Sequence, residues 1–411
     1  MSKHLHIPYS CLSVSAYCLT ISIISANLVY GQQGTPKTIS MNEAVALTLT
    51  NNPISKNAEL QVQAIKSQST TLALPLTEFN YANGQFYSTA NDAYFEINQH
   101  LGSPLTQIQK TKYNKQAVKL SEVEQKIAIK KLTAEAKIAY TNFVYQQAKL
   151  STIKELSPLY SKILAASGVP YNPNDTNQLN RAVDETSFAN FQNQLFQAEQ
   201  DCSLASNNLQ QIMNSPLHYI PSDSSLELYA IEILNNGPNK FNPATNNALY
   251  HEALVLRQKE LQVQQSKLFP EFTAGYFNHE INGAKGFQGY KLGIALPIWY
   301  FPQKAKIIEA RINMEIAKNQ SDYQKFNFNK TIENLKIQLD KLFVEISFYK
   351  ENALKKANLL FQQANQNSQK KDLDYSNLFE NLESGLKIRL DYLERIYHYN
   401  HIAIQLESMI D

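Results

Sequence analysis

Across residues 303–369 the chain carries neither Pro nor Gly, and its apolar residues recur in sevens. Ile332, Leu339, Ile346, Ala353 and Leu360 take one core position, and Phe328, Leu335, Leu342 and Tyr349 take the other. This a/d seam with a 3.5-residue period predicts a left-handed coiled coil. At about 1.5 Å per residue the stretch makes a rod of roughly 100 Å. Such a rod must lie along other helices of similar length.

A second rod is predicted over 105–167, with Ile129, Ala136, Phe143 and Leu150 on one row and Leu132, Ala139 and Ile153 on the next. Pro158 lies inside it and should kink or interrupt it, because it removes a backbone donor and clashes one turn back. A turn over 168–175 leads into a return helix over 176–214. The seam of that helix runs Phe188, Leu195, Cys202, Leu209, with Phe191, Ala198, Ala205 and Ile212 beside it. Its seam position makes Cys202 a packed small hydrophobe rather than a reactive thiol. Shorter helices are expected over 41–71, with Pro53 opening the main part, and over 244–267. A last helix spans 375–410.

Between these helices the period changes to two. Residues 76–88 carry Phe79, Tyr81 and Tyr87 at even spacing; after a turn over 89–92, residues 93–101 place Phe95, Ile97 and Leu101 opposite Asn98 and His100. A second hairpin reads the same way. Phe272, Ala274 and Tyr276 alternate over 271–281, a Gly-rich turn covers 282–289, and Leu292, Ile294, Leu296 and Ile298 share one face of 290–300. Each strand is close to the nine to eleven residues, roughly, that cross a bilayer at a tilt.

The order of helix, hairpin, long helix and return helix therefore occurs twice, which predicts an internal two-fold sequence repeat. Glu59-Leu60-Gln61-Val62-Gln63 recurs as Glu260-Leu261-Gln262-Val263-Gln264 ahead of each hairpin. The expected division is 1–31 as signal peptide, 32–214 as first repeat (hairpin 76–103, long helix 105–167, return helix 176–214), and 215–245 as connector. The second repeat is 246–411, with hairpin 271–300, long helix 303–369 and return helix 375–410. Pro216, Pro221, Pro238 and Pro243 punctuate the connector.

Composition narrows the class. Among 411 residues the formal charge is +2 and 18% are charged, so no basic field points to nucleic acid. Only 12 Gly weigh against an all-β protein, and past residue 30 no apolar run is long enough for a spanning helix. Lys3, His4 and His6 precede an apolar, small-residue run ending in Val29-Tyr30-Gly31, the pattern of an export signal cleaved near Gly31; an uncleaved anchor is the alternative. Cys11 and Cys18 would leave with the signal, so Cys202 would have no internal disulfide partner.

Four alternating strands cannot close a barrel, and an open sheet edge in lipid is prohibitively costly. The chain would therefore pool its strands with copies of itself, three copies giving twelve strands. Tyr81, Tyr87, Tyr94, Tyr290, Trp299 and Tyr300 are the candidate membrane aromatic girdle. The alternative is a soluble β-cap on a coiled coil.

Over nearly all its mature length the chain resembles the TolC family of outer-membrane channel proteins. The resemblance is carried by Asn52-Pro53, Leu268-Phe269-Pro270, Leu296-Pro297-Ile298 and Asp391-Tyr392-Leu393 with Tyr399-Asn400. Tyr81-Ala82-Asn83-Gly84-Gln85-Phe86 and Gly275-Tyr276-Phe277-Asn278 most resemble its CusC/CzcC-like heavy-metal efflux branch. The resemblance implies a mainly α chain with a β-barrel portion: a homotrimer with a 12-stranded transmembrane β-barrel, four strands per chain, and a long periplasmic α-helical coiled-coil tunnel. It implies an outer-membrane location and passive export of heavy-metal cations or drugs. It also implies two partners, a periplasmic adaptor (membrane fusion) protein and an inner-membrane RND-type pump. A type I secretion duct beside an ABC exporter, or a soluble periplasmic coiled-coil scaffold, are the competing readings.

In that family the turns after each long helix form the periplasmic entrance. The matching turns offer Asp175, Asp372 and Asp374 as candidate gating carboxylates, although each also suits a helix cap. Gly168, Asn174, Lys371 and Tyr375 are the candidate adaptor contacts. Here Pro170 and Pro173 lengthen the first turn, and the second lacks the family's Gly. The residues give no catalytic set and no cofactor motif. His398 and His401, with His279-Glu280, lack a third close metal ligand.

Overall fold

The computed structural model describes residues 37–70, 76–86, 89, 91–167, 177–230, 244–298, 300–367 and 375–410. Its first half contains β1 (Lys37–Ile39), α1 (Met41–Asn51), α2 (Pro53–Thr70), β2 (Thr77–Gly84), β3 (Asp92–Gly102), α3 (Pro104–Ser167) and α4 (Asn177–Met213). Then come β4 (Tyr219–Pro221), α5 (Ala244–Ser266), β5 (Glu271–Ile281), β6 (Ala284–Ala295), α6 (Phe301–Phe348), α7 (Leu354–Asn367) and α8 (Tyr375–Met409). The 64 residues of α3 make a helix of about 96 Å.

Helix α3 is the spine of the wall. It packs on α2 and α5 toward the sheet and on α4 and α8 toward the other end, with α1 at mid-height. Helix α6 packs on α5 and then α8, so its outer side is left with exposed Ile308, Ile312, Ile316, Phe326 and Phe343. Two apolar cores lie along the bundle. One gathers Tyr140, Phe143, Leu209, Ile332, Leu339, Ile346 and Leu406; the other gathers Ile153, Tyr160, Ile163, Phe191, Ala357, Phe361, Phe379 and Leu382.

Pro158 does not interrupt α3, which continues to Ser167. Ile153, Leu156, Tyr160 and Ile163 are all buried around it, and this packing outweighs one missing backbone donor. The second rod, by contrast, is not one α-helix. A π-turn at Tyr349–Ala353 separates α6 from α7 and inserts one residue into the seam. Beyond it Ala357, Phe361 and Ala364 are buried, while the expected Ala353 and Leu360 are only half-buried.

The connector also holds more structure than its composition suggests. Its β4 pairs in parallel with β1, Lys37 to Ile39 matching Tyr219 to Pro221. Tyr140 Oη donates to Asp223 Oδ2 at 3.0 Å and lies 3.3 Å from the Ile39 carbonyl, binding this ribbon to the spine. Ser40 caps α1 reciprocally with Glu43. Farther along, Lys137 Nζ donates to Glu407 Oε2 (2.7 Å) and Tyr229 Oη (2.8 Å), and Asn400 holds the backbone of Glu227 and Tyr229. Cys202 is half-buried against the first core, and burial pushes its thiol pKa up.

Candidate functional site: a two-faced sheet and the helix tips

The four long strands form one antiparallel sheet in the order β2-β3-β5-β6. Each hairpin is closed by its own turn, and β3 pairs with β5 to join them. The expected eight-residue turn over 282–289 is in fact two residues. Asn282 and Gly283 both take positive φ (55° and 75°), the geometry that a tight hairpin of Asn-Gly favours, and β6 starts at Ala284. Asp92, expected in the first turn, is the buried first residue of β3. Its carboxylate accepts from Phe86 N (3.1 Å) and Asn282 N (2.8 Å), which ties the two hairpin tips together.

The register sorts the side chains onto two faces. Phe79 pairs with Ile97, Tyr276 and Tyr290 across the sheet, and Tyr81 with Phe95. Ala274 with Leu292, and Phe272 with Ile294, extend that face toward the helices. It is an apolar surface turned to the outside: Tyr290 and Leu292 are each 87% exposed, and Leu296, Ile298, Tyr300 and Phe301 continue the exposure into α6. Strands β2 and β6 have no neighbour on their outer edges among the described residues.

The opposite face is mixed and charged. Glu96 Oε2 accepts from Lys291 Nζ at 3.1 Å and Asn98 Nδ2 at 3.4 Å, and Glu96 Oε1 lies 3.6 Å from His279 Nε2. Glu78 and His100 approach to 3.5 Å on the same face. Glycines there stand opposite larger side chains, Gly275 against Asn98, Gly289 against Phe277 and Gly293 against Thr273. The Phe277 ring sits where a Cβ on Gly289 would be, at 2.7 Å, so no other residue fits at 289 without displacing it. No local pattern announces the Glu96–Lys291 link, whose members stand 195 positions apart. The alternating pattern does predict that both lie on one side.

The candidate girdle residues divide accordingly. Tyr81 and Tyr290 lie on the apolar face, and Tyr300 stacks on Phe301 at 4.7 Å where β6 hands over to α6. Tyr94 lies on the charged face, its ring 5.6 Å from that of His279, because it is one residue out of phase with Phe95. Tyr87 and Trp299 fall outside the described residues.

Asp175, Asp372, Asp374, Gly168, Asn174 and Lys371 also lie outside the described residues. Tyr375 opens α8 and packs half-buried on the second core. Next to it Ser376 Oγ donates to Asp184 Oδ1 at 3.1 Å, joining α4 to α8. Tyr160 stacks on Phe191 at 3.9 Å, and burial pushes its phenol pKa up. Arg389 lies 4.5 Å over Phe361 and 3.1 Å from Glu155, tying α8 to α7 and α3. His398 and His401 sit one turn apart on α8, where burial and then the neighbouring His398 lower the His401 pKa. Among the described residues no three potential metal ligands come together, and no helix is long and apolar enough to cross a membrane.

No protein-family model matches this chain, and no curated protein matches it by sequence. Solved structures do. CusC, described in connection with transmembrane channel formation, superposes with a TM-score of 0.72 at 16% identity, covering 90% of this chain and 91% of that one. The outer-membrane channel OprN gives 0.75 at 12% identity, covering 90% of each chain. The open-state outer-membrane channel MtrE of Neisseria gonorrhoeae gives 0.73 at 12% identity, covering 90% and 88%. The fold of this chain is that of these outer-membrane channels, the TolC-type fold.

Proposed function

We propose that this chain is the outer-membrane duct of a tripartite export system, working as a homotrimer with twelve pooled strands and a tunnel of pooled helices. One observation carries the reading: a four-stranded sheet with an apolar exposed face, its two edges unpaired among the described residues, stands on helices of about 100 Å. Lipid satisfies the exposed face, but nothing in lipid satisfies an edge, so the sheet must close with other copies. The charged face then lines a water-filled lumen. Transport is passive, the partners being a periplasmic adaptor and an inner-membrane pump of the RND type. The likeness to outer-membrane channels and the export-signal pattern support the same location.

Cargo is the finer part of the proposal. Residue resemblance favours heavy-metal cations over drugs, and the entrance carboxylates Asp175, Asp372 and Asp374 would favour cations in general. Fractionation of the expressing cells, with the detergent-corrected mass of the extracted protein, tests the duct itself. The expected product is a trimer in the outer membrane whose barrel runs differently on a gel before and after boiling. A soluble periplasmic monomer or dimer with no heat-modifiable form would overturn the proposal.

A further inference from the structure

Three helix ends meet where the sheet joins the helices. Helix α5 arrives at Ser266, while α3 and α6 depart from Pro104 and Phe301. Thr106 Oγ1 donates to the Ser266 carbonyl at 3.0 Å, and Gln303 Nε2 donates to the Gln264 carbonyl at 2.7 Å. Those contacts gather Lys267 with Lys110, one turn beyond Thr106, and Lys306, one turn beyond Gln303. Lys267 Nζ donates to Gln264 Oε1 at 3.1 Å. Several lysines elsewhere in the chain pair with carboxylates, as Lys66 with Glu122 and Lys149 with Asp201. Here the charges reaching Lys267 are ammoniums. Burial, then Lys306 and Lys110, hold its pKa below the ordinary lysine value.

Like charges gathered together are a cost that a bound anion removes. The N-termini of α3 and α6 add partial positive charge in the same place. The surroundings identify the anion. Leu268 and Phe269 follow Lys267 directly and are exposed, and so are Leu296, Ile298, Tyr300 and Phe301. Lys306 lies five residues past Phe301, about 8 Å along the helix. That matches the headgroup layer beside the hydrocarbon, roughly 5–8 Å deep on each side.

We infer that Lys110, Lys267 and Lys306 hold the phosphate of an anionic phospholipid in the leaflet on the helix side of the membrane. The inference rests on the membrane reading proposed above. Each protomer would seat one headgroup, its acyl chains lying along the exposed apolar face of β6.

The test uses the detergent-extracted full chain and the variant K110Q/K267Q/K306Q, with K306Q alone, at an exposed position, as a variant that folds if the triple does not. Retained phosphatidylglycerol and phosphatidylcholine are counted by native mass spectrometry, and thermal unfolding is followed with each lipid. Wild type should retain the anionic lipid several-fold over the zwitterionic one and melt higher with it; both differences should shrink in K306Q and vanish in the triple variant. Equal retention of the two lipids by wild type would overturn the inference. So would inorganic phosphate reproducing the stabilisation, which would make the site one for a soluble anion. A third overturning result is altered ion selectivity of the reconstituted triple variant with lipid retention unchanged, which would place the lysines in the lumen. Heat-modifiability of wild type is measured first: its absence sinks the membrane reading, whereas its presence without lipid preference sinks the lipid site alone.

Discussion

Two residues at different heights of the sheet-and-helix body show how much rests on single side chains. Asp92 accepts from one backbone N–H in each hairpin turn. Each hydrogen bond to a charged group is worth about 1.5–3 kcal/mol, so Asp92→Ala should loosen both tips together. The expected outcome is faster amide exchange at Phe86 and Asn282 with exchange in α3 unchanged; unaltered exchange at either turn would contradict the shared-anchor role. At mid-height Lys137 joins Glu407 and Tyr229. Burial alone would lower its pKa, but the bonds to Glu407 and Tyr229 outweigh burial and leave it raised. A raised lysine contributes stability that is complete below the unfolded value and is lost as pH climbs through the folded one. Melting should therefore be insensitive to this group at neutral pH and fall above about 10.5. Lys137→Met should lower stability by about 1–3 kcal/mol, toward the low end because Glu407 is 37% exposed and screened. Thermal melts of the two proteins at pH 7 and pH 11 check both statements, since the variant should lack the alkaline loss.

Among the elements, the strands and long helices are legible in the sequence because each repeats its period many times. The apolar alternation of Phe272, Ala274 and Tyr276 and of Leu292 and Ile294 leaves only one way to sort the faces. The π-turn is not legible, and the reason is specific. Leu360 and Phe361 are both apolar, so an unbroken heptad count accepts Leu360, while the inserted residue hands the seam to Phe361. Phe361 then lies under Arg389 and directly against Gly385, where a Cβ would come within 2.8 Å of its ring. Phe361→Ala should cost about 3–5 kcal/mol and Leu360→Ala clearly less, a ranking read by thermal unfolding. The reverse ranking would restore the plain heptad. The β1–β4 ribbon escaped for another reason: three residues are too few to show a period. Pro158 misled because a local rule was set against a buried face that only the folded bundle supplies.

For the molecule as a whole, the channel fold was legible from the order of elements, whereas the lysine cluster at the junction was not, since its members come from α3, α6 and the turn that follows α5. The turns proposed as the entrance supply a prediction at this scale. In the proposed trimer, Asp175, Asp372 and Asp374 gather in threes around one axis, so their charges act on the pore as a set. Replacing all three with Asn should reduce the preference of the reconstituted channel for cations, read as a shift in reversal potential under a salt gradient. An unchanged potential would return these aspartates to ordinary helix caps.

The open edges of β2 and β6 also govern inheritance. In the proposed trimer each protomer's edge strand is completed only by its neighbours, so a single faulty edge spoils the whole ring. A cell making equal amounts of the normal chain and a chain with Pro in the middle of β6 would assemble only about one ring in eight from normal copies alone. Such an allele should be dominant, its harm exceeding that of simply deleting one gene copy.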